Sequence, residues 1–391
     1  MSKDYHRKLV LWLLICLLFP GTVLAEKWYF EPTASLRLGY DDNVRFSVSD
    51  KEGAFSSHLN AKARFGFRTE VSDVNLLAQL NGRRYNGLNE LNTADQLLGL
   101  DVTHRSELDI FGLKGSYERD STRTSELETT GYVRESKRRI KKNLNPSWNR
   151  VLTERTSLQV GYQYSDVAYS DVGTSGLVDY RYDTANAGLE YTLSETINLQ
   201  TSLTASKYEA SDAGTKFNSY GVRGGFSKEF SETLSGSFSL GITRTDSDFI
   251  GIGGNPDSAS DNTPSLDLSL KKLYGNMILK GTLSMSQSAS GYGRQTQQNA
   301  LEVSLHKELS PRSDFSFRGR LQESGSSGGV NDSSDDRTYL SLEPKISWNA
   351  TRWWTVSGSY RYRRQEQTST NNGAAESNAV FLAARYVWPR E

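Results

Sequence analysis

Trp354-Thr355-Val356-Ser357-Gly358-Ser359-Tyr360-Arg361-Tyr362-Arg363 changes character at every step. Apart from Gly358, the even positions are apolar or aromatic and the odd ones polar. Ser157-Leu158-Gln159-Val160-Gly161-Tyr162-Gln163-Tyr164-Ser165 alternates in the same way. Successive side chains of an extended strand point to opposite faces, so each stretch predicts one greasy face and one wet face. Units of this kind, separated by turns, recur from Tyr29 to Trp388. A closed barrel in a bilayer needs such two-faced strands, with lipid outside and water or polar side chains inside.

Composition agrees with that reading. Hydrophobic residues make up only 36% of the 391 residues, too few for a bundle of membrane helices but ordinary where half of every strand is polar. Tyr (20), Trp (7) and Gly (33) are plentiful, while Pro (8) and Met (3) are scarce. A water-soluble two-sheet sandwich would alternate as well, since an antiparallel sheet can bury one face. The aromatic residues near strand ends favour the membrane.

One run, Leu9–Phe19, is continuously apolar. It follows Lys3, Arg7 and Lys8 and ends at Val23-Leu24-Ala25, the layout of a Sec-type signal peptide cut after Ala25. The run is too short for a hydrocarbon core of about 30 Å. The expected domains are therefore a signal peptide over residues 1–25 and an outer-membrane β-barrel over residues 26–391. Cys16, the single cysteine, lies in the apolar run, so the processed chain has no thiol for disulfides or metals. Basic and acidic residues balance at 46 each, and no basic excess points to nucleic acid.

Short polar turns come at Glu70-Val71-Ser72, Arg105-Ser106-Glu107, Leu152–Arg155, Leu193–Thr196 and Phe230–Thr233. Three more follow at Leu273–Asn276, Leu309–Arg312 and Trp348–Thr351. Asp41–Phe55, Glu118–Gly131, Ser165–Val178, Asp246–Asn262 and Gln322–Asp336 are rich in Ser, Gly, Asp and Asn and read as longer loops. Short periplasmic turns and long outer loops are the asymmetry of outer-membrane barrels. Adding a first strand at Tyr29–Tyr40 and a last at Ser377–Trp388 predicts one antiparallel barrel of eighteen strands. The long basic stretch Gly131–Leu152 leaves sixteen open.

Taking the aromatic face as lipid-facing assigns Tyr162, Tyr164, Phe315, Phe317, Trp354, Tyr360, Tyr386 and Trp388 to the outside. The opposite face then carries Arg37 on the first strand and Lys62 and Arg64 on the second. Arg223 comes from the tenth strand, Arg318 and Arg320 from the fifteenth, Arg361 and Arg363 from the seventeenth, and Arg385 from the last. Inward acids are fewer, with Asp101, Glu190, Glu302 and Glu343 the clearest. A lumen biased toward Arg and Lys favours anions. Each arginine could equally brace the wall, because buried charge is normally paired.

Catalysis has little support. Only His58, His104 and His306 remain after processing, and no Gly-x-Ser-x-Gly elbow, paired-histidine motif or phosphate loop is present. The chain reads as a non-enzyme with no cofactor and no metal site.

The stretch Tyr29-Phe30-Glu31-Pro32-Thr33-Ala34-Ser35-Leu36-Arg37-Leu38-Gly39-Tyr40-Asp41-Asp42-Asn43-Val44 resembles the start of a family of outer-membrane β-barrel porins. Members of that family accompany exopolysaccharide or capsule export and exosortase-type systems. The resemblance implies a large barrel that helps an anionic polymer across the Gram-negative outer membrane. Its partners would be outer-membrane lipid, the barrel-assembly machinery and periplasmic polysaccharide-export proteins. A surface barrel acting through its loops as a receptor, and a general small-solute porin, are the competing readings.

Overall fold

The computed structural model describes residues 27–126, 136–170, 173, 175–250, 255–327, 336–367 and 373–388. The expected signal segment lies outside the described residues. Eighteen strands follow one another: β1 (Lys27–Asp41), β2 (Ala54–Arg68), β3 (Ser72–Tyr85), β4 (Thr93–Arg105), β5 (Asp109–Ser121) and β6 (Arg138–Thr153). Next come β7 (Thr156–Ser170), β8 (Tyr180–Ser194), β9 (Ile197–Ala210), β10 (Thr215–Ser231), β11 (Leu234–Ile250) and β12 (Pro256–Tyr274). The last third is β13 (Met277–Ser290), β14 (Arg294–Ser310), β15 (Ser313–Ser327), β16 (Arg337–Asn349), β17 (Trp354–Gln367) and β18 (Ala374–Val387).

Each strand pairs antiparallel with its sequence neighbours, and β1 pairs with β18 from Thr33↔Val387 to Asp41↔Ala379, so the sheet closes. Closure leaves no sheet edge around the ring, which is the condition for strands to span hydrocarbon. The count is eighteen because Arg138–Thr153 forms a single strand inside the stretch that left sixteen open.

All eight short turns fall between strands where the pattern puts them. The polar stretches differ from expectation. Asp41–Phe55 is largely a loop between β1 and β2, but the other four each begin in strand: β5 runs to Ser121, β7 to Ser170, β11 to Ile250 and β15 to Ser327. Conversely, β9 and β10 are joined by only residues 211–214, and β13 and β14 by only residues 291–293. The strands continue past the apolar belt, and there the outer face meets water while small polar residues such as Thr245 and Ser247 are buried on the inner face, so Ser, Gly and Asp no longer argue against a strand.

Two aromatic rings mark that belt on the outside. Phe111, Tyr191, Phe230, Tyr274, Trp348 and Trp354 stand exposed near the short turns. Tyr40, Phe55, Tyr117, Tyr162, Tyr220 and Tyr360 stand exposed toward the other rim, with exposed leucines between the rings. On β10, Tyr220 and Phe230 bound a stretch of about 33 Å along the strand, or about 25 Å along a barrel axis at a tilt near 40°. That height equals the apolar band expected of outer-membrane barrels.

Eighteen strands about 4.8 Å apart at that tilt enclose a backbone ring about 36 Å across. A wall this wide does not restrict passage by itself; what folds into it does.

Candidate functional site on the inner wall

Pairing parity separates the two faces. Tyr360 and Tyr362 of β17 share the outer face with Val380 and Leu382 of β18, leaving Arg361 and Arg363 on the inner face beside Ser377, Ala379 and Phe381. The same parity puts Arg37 on the inner face of β1 and Lys62 and Arg64 on that of β2. Arg223 (β10), Arg318 and Arg320 (β15) and Arg385 (β18) also point inward. Tyr162, Tyr164, Phe315, Phe317, Trp354, Tyr386 and Trp388 stand on the outer face with Tyr360. Trp354, Tyr386 and Trp388 form one ring cluster, with centroids 4.9 and 4.6 Å apart in turn.

The basic side chains gather most densely where the barrel closes. Arg363 donates to Asp41 Oδ2 at 3.0 Å and to Ser377 Oγ at 3.1 Å, and Arg361 reaches the same carboxylate at 3.5 Å. Ser377 donates its hydroxyl to Asp41 at 2.7 Å. Arg37 reaches Glu343 at 3.5 Å. The Arg37 guanidinium lies 3.7 Å from the centre of the Phe381 ring and that of Arg361 5.0 Å from it, so Phe381 is sandwiched by cations. His58 faces Phe381 from β2 at a ring separation of 6.3 Å. The arrangement holds three guanidinium groups against two carboxylates, and its surplus is positive.

Elsewhere the inner wall is braced. Arg223 pairs with Asp267, and Arg318 reaches Glu302 at 3.9 Å. Arg139, on the inner face of β6, is buried against Asp120 at 2.8 Å and Glu126 at 3.1 Å. Asp101, Glu190, Glu302 and Glu343 point inward, but so do Asp41, Asp95, Glu118, Asp120 and Asp267. Inward acids are thus more numerous than the alternation alone suggests, and several inward arginines brace as well as line the wall.

The aromatic rule fails above the belt. Phe381, Tyr208, Phe217, Tyr169 and Tyr339 are aromatic yet buried on the inner face. All but Phe381 are the seats of two segments folded into the barrel. The first is the loop after β1. Asn43, fully buried, donates its side-chain amide to Ser47 and Glu376 carbonyl oxygens, both at 2.7 Å, and accepts from the Ser47 N–H at 2.9 Å. Asp42 accepts from the Asn378 backbone N–H at 2.7 Å. This pinning turns Phe46 inward, at φ 53°, to pack on Tyr339 and Ala375 with the Arg363 guanidinium 4.9 Å from its ring. Val44 meanwhile packs on Ala54, Leu88 and Leu91. The Asp41-Asp42-Asn43 triplet, noted in the sequence only for its resemblance, is therefore the anchor of that loop.

The second segment is the tip of the β13–β14 hairpin. Pairing of β12 with β13 stops at Leu266↔Met285, although both strands continue. The tip bends across the lumen: Tyr208 on β9 donates to the Ser290 carbonyl at 3.1 Å, and Val178 N–H donates to that of Gly291 at 2.8 Å. Gln287 and Gln295 bond Thr263 and Ser219 on the inner faces of β12 and β10 at 2.8 and 3.4 Å. No sequence signal marked this hairpin, because its partners lie far away along the chain.

No group of His, Cys, Asp and Glu suited to a metal ion occurs among the described residues. Fold and wall together define a class, the closed antiparallel barrel with an apolar outer belt, a charged interior and loops narrowing one mouth. Among solved structures the chain is similar to Pseudomonas aeruginosa OccK7 (OpdD), with 11% identity and a TM-score of 0.49 over 93% of this chain and 99% of that one. It is similar to Pseudomonas aeruginosa OprD at 10% identity and TM-score 0.46, over 94% and 99%. The copper transporter OprC matches at 12% and 0.46, where 90% of this chain spans 65% of that one. No protein-family model and no curated protein matches.

Proposed function

We propose that the chain is an outer-membrane channel that helps pass an anionic exopolysaccharide through a lumen biased toward Arg and Lys. The single observation carrying this reading is the split on β17: Tyr360 and Tyr362 turn to the apolar belt while Arg361 and Arg363 turn inward. Aromatic girdles about 25 Å apart suit a bilayer, and clustered guanidinium groups in a low-dielectric tube favour anions. Residues 1–25 would deliver the chain through the Sec pathway, and upstream synthesis would drive the polymer. Periplasmic export proteins are the natural partners of such a passage.

Phe46 and the β13–β14 tip, both folded inward, favour a second reading, a channel for small anionic solutes. Reconstitution in planar bilayers tests both. Wild-type protein is expected to prefer chloride over potassium, and Arg361→Glu with Arg363→Glu to weaken or reverse that preference. A barrel without conductance, or one preferring cations, overturns the anionic reading. Passage of polymer fragments separates the two anionic cargoes.

A further inference from the structure

Following one hydrogen-bonded row around the wall gives an order that the linear sequence hides. Arg361 on β17 stands next to the Glu343 level of β16, between the pairs Leu342↔Tyr362 and Lys345↔Ser359. Glu343 pairs with Arg318 on β15, Arg318 with Ser304 on β14, and Ser304 with Lys280 on β13. Lys280 in turn pairs with Lys271 on β12. Arg361 sits midway along its strand, whereas Lys280 and Lys271 lie beside the short turn at 275–276. Because strands tilt in a barrel, the row winds down the wall from its middle to the short-turn rim.

Four of the six positions are basic and one is acidic. That one, Glu343, is engaged from the side by Arg37 at 3.5 Å, while Arg361 shares Asp41 with Arg363 at 3.5 Å and keeps 25% of its side chain exposed. Arg318 keeps 73% of its side chain exposed and touches its nearest carboxylate, Glu302, only at 3.9 Å. Lys271 and Lys280 are exposed as well. Arg361, Arg318 and Lys280 are each two strands apart, so the cations repeat every 10 Å or so, about twice the strand spacing.

We infer that this row is a binding track for a linear polyanion carrying one carboxylate on every second sugar. The inference rests on the channel reading above and deepens it. A small anion can meet only one of Arg361, Arg318 and the Lys280–Lys271 pair at a time, since about 10 Å is too far for one carboxylate to bridge. An extended chain with acids at a disaccharide repeat meets all three. Each later contact forms at the high effective concentration set by the one before, so the chain binds far better than its monomer. A chain charged on every sugar gains only Lys271, beside Lys280, and sets its other intermediate acids against Ser304 and the like-charged Glu343.

The test is block of ionic current through the full-length protein in planar bilayers. The probes are glucuronate, a hyaluronan octasaccharide (acid on alternate sugars) and a galacturonate octamer (acid on every sugar). The hyaluronan fragment is expected to block at roughly 100-fold lower concentration than glucuronate, and at least as well as the more highly charged galacturonate octamer. Arg318→Ser with Lys280→Ser should remove most of that advantage. An octasaccharide that blocks no better than glucuronate overturns the track while leaving an anion channel standing. Tighter block by the galacturonate octamer shows that charge count, not spacing, is read, and overturns the inference too. Absence of any current overturns the channel reading itself.

Discussion

Arg363 and Asp41 meet at 3.0 Å from strands on either side of β18, the strand that closes the ring. The contact joins the end of the first strand to a basic side chain of the seventeenth, with the Asp41 side chain only 7% exposed. It is at once a clamp on the closure and the point where positive charge on the wall is partly cancelled.

Asp41→Ala therefore acts in two directions. Removing one partner of a largely buried pair costs on the order of 3 kcal/mol, which should appear as a lower urea midpoint for the barrel. The freed Arg361 and Arg363 should at the same time raise the anion preference, read as a shift in reversal potential across a salt gradient.

Phe46 holds a backbone conformation, φ 53°, that strains any side-chain-bearing residue by about 1–3 kcal/mol. Phe46→Gly tolerates that backbone and deletes only the ring. Single-channel conductance should rise, while the heat-dependent mobility of the folded barrel in gels stays as in wild type.

A side chain at Gly291 would press on Leu177, whose Cδ2 lies 3.0 Å from the Cβ position, and on Tyr169. Gly291→Leu should push the β13–β14 tip off its seat. Liposome swelling with neutral sugars of increasing size should then show a larger exclusion limit, and Gly291→Ala a smaller change in the same direction.

The outer belt makes a separate claim about lipid. Leu240 is 55% exposed in the middle of β11, where Arg is expected to cost about 2–4 kcal/mol. Asn262→Arg, above the belt on β12, should cost under about 1 kcal/mol. Equal losses in folding titrations into lipid vesicles would remove the belt from contact with hydrocarbon.

Arg45 in the first loop bonds Glu52 at 2.7 Å and also bonds Glu90 in the connection between β3 and β4. A backbone hydrogen bond, and then Arg45, hold the Glu90 carboxyl below the usual carboxylate range. A depressed folded value means the tie is complete above the unfolded pKa, about 4.3, and is lost as pH falls through the folded one. Open-channel noise should increase on acidification below that point, and Glu90→Gln should show the noise at neutral pH.

The strands and the direction of their faces were legible in the sequence because a period of two needs no partner to be read. Arg361 and Tyr360 lie one residue apart, and parity separates them. Phe381 shares the parity of Arg385 and so falls on the inner face, but its burial was not legible, because Arg37 and Arg361, which cover it, come from other strands. Phe46 and Gly291 were hidden for a related reason. Their positions depend on Tyr339, Ala375, Tyr169 and Leu177, which the chain delivers from distant strands. Polar composition also misled at Ser165–Ser170 and Asp246–Ile250, where a strand with a wet outer face and small polar residues such as Ser165 and Ser247 buried on the inner one has the residues of a loop.

The break between Leu266 and Met285 separates mechanical duties within one sheet. Pro264 and Ile242, paired beside it on the outer face, mark the upper margin of the apolar belt. Below that margin the wall is an unbroken hoop whose backbone bonds have no substitute in hydrocarbon. Above it β14 stays laddered to β15 as far as Gln295↔Ser327, while the β13 edge leaves β12 and rests on side-chain amides, hydroxyls and the Val178–Gly291 bond, which water can replace. The β13 edge can lift off the lumen in the aqueous phase with β15 as its fixed side while the hoop below keeps its bonds, so opening the mouth and keeping the membrane sealed make no demand on each other.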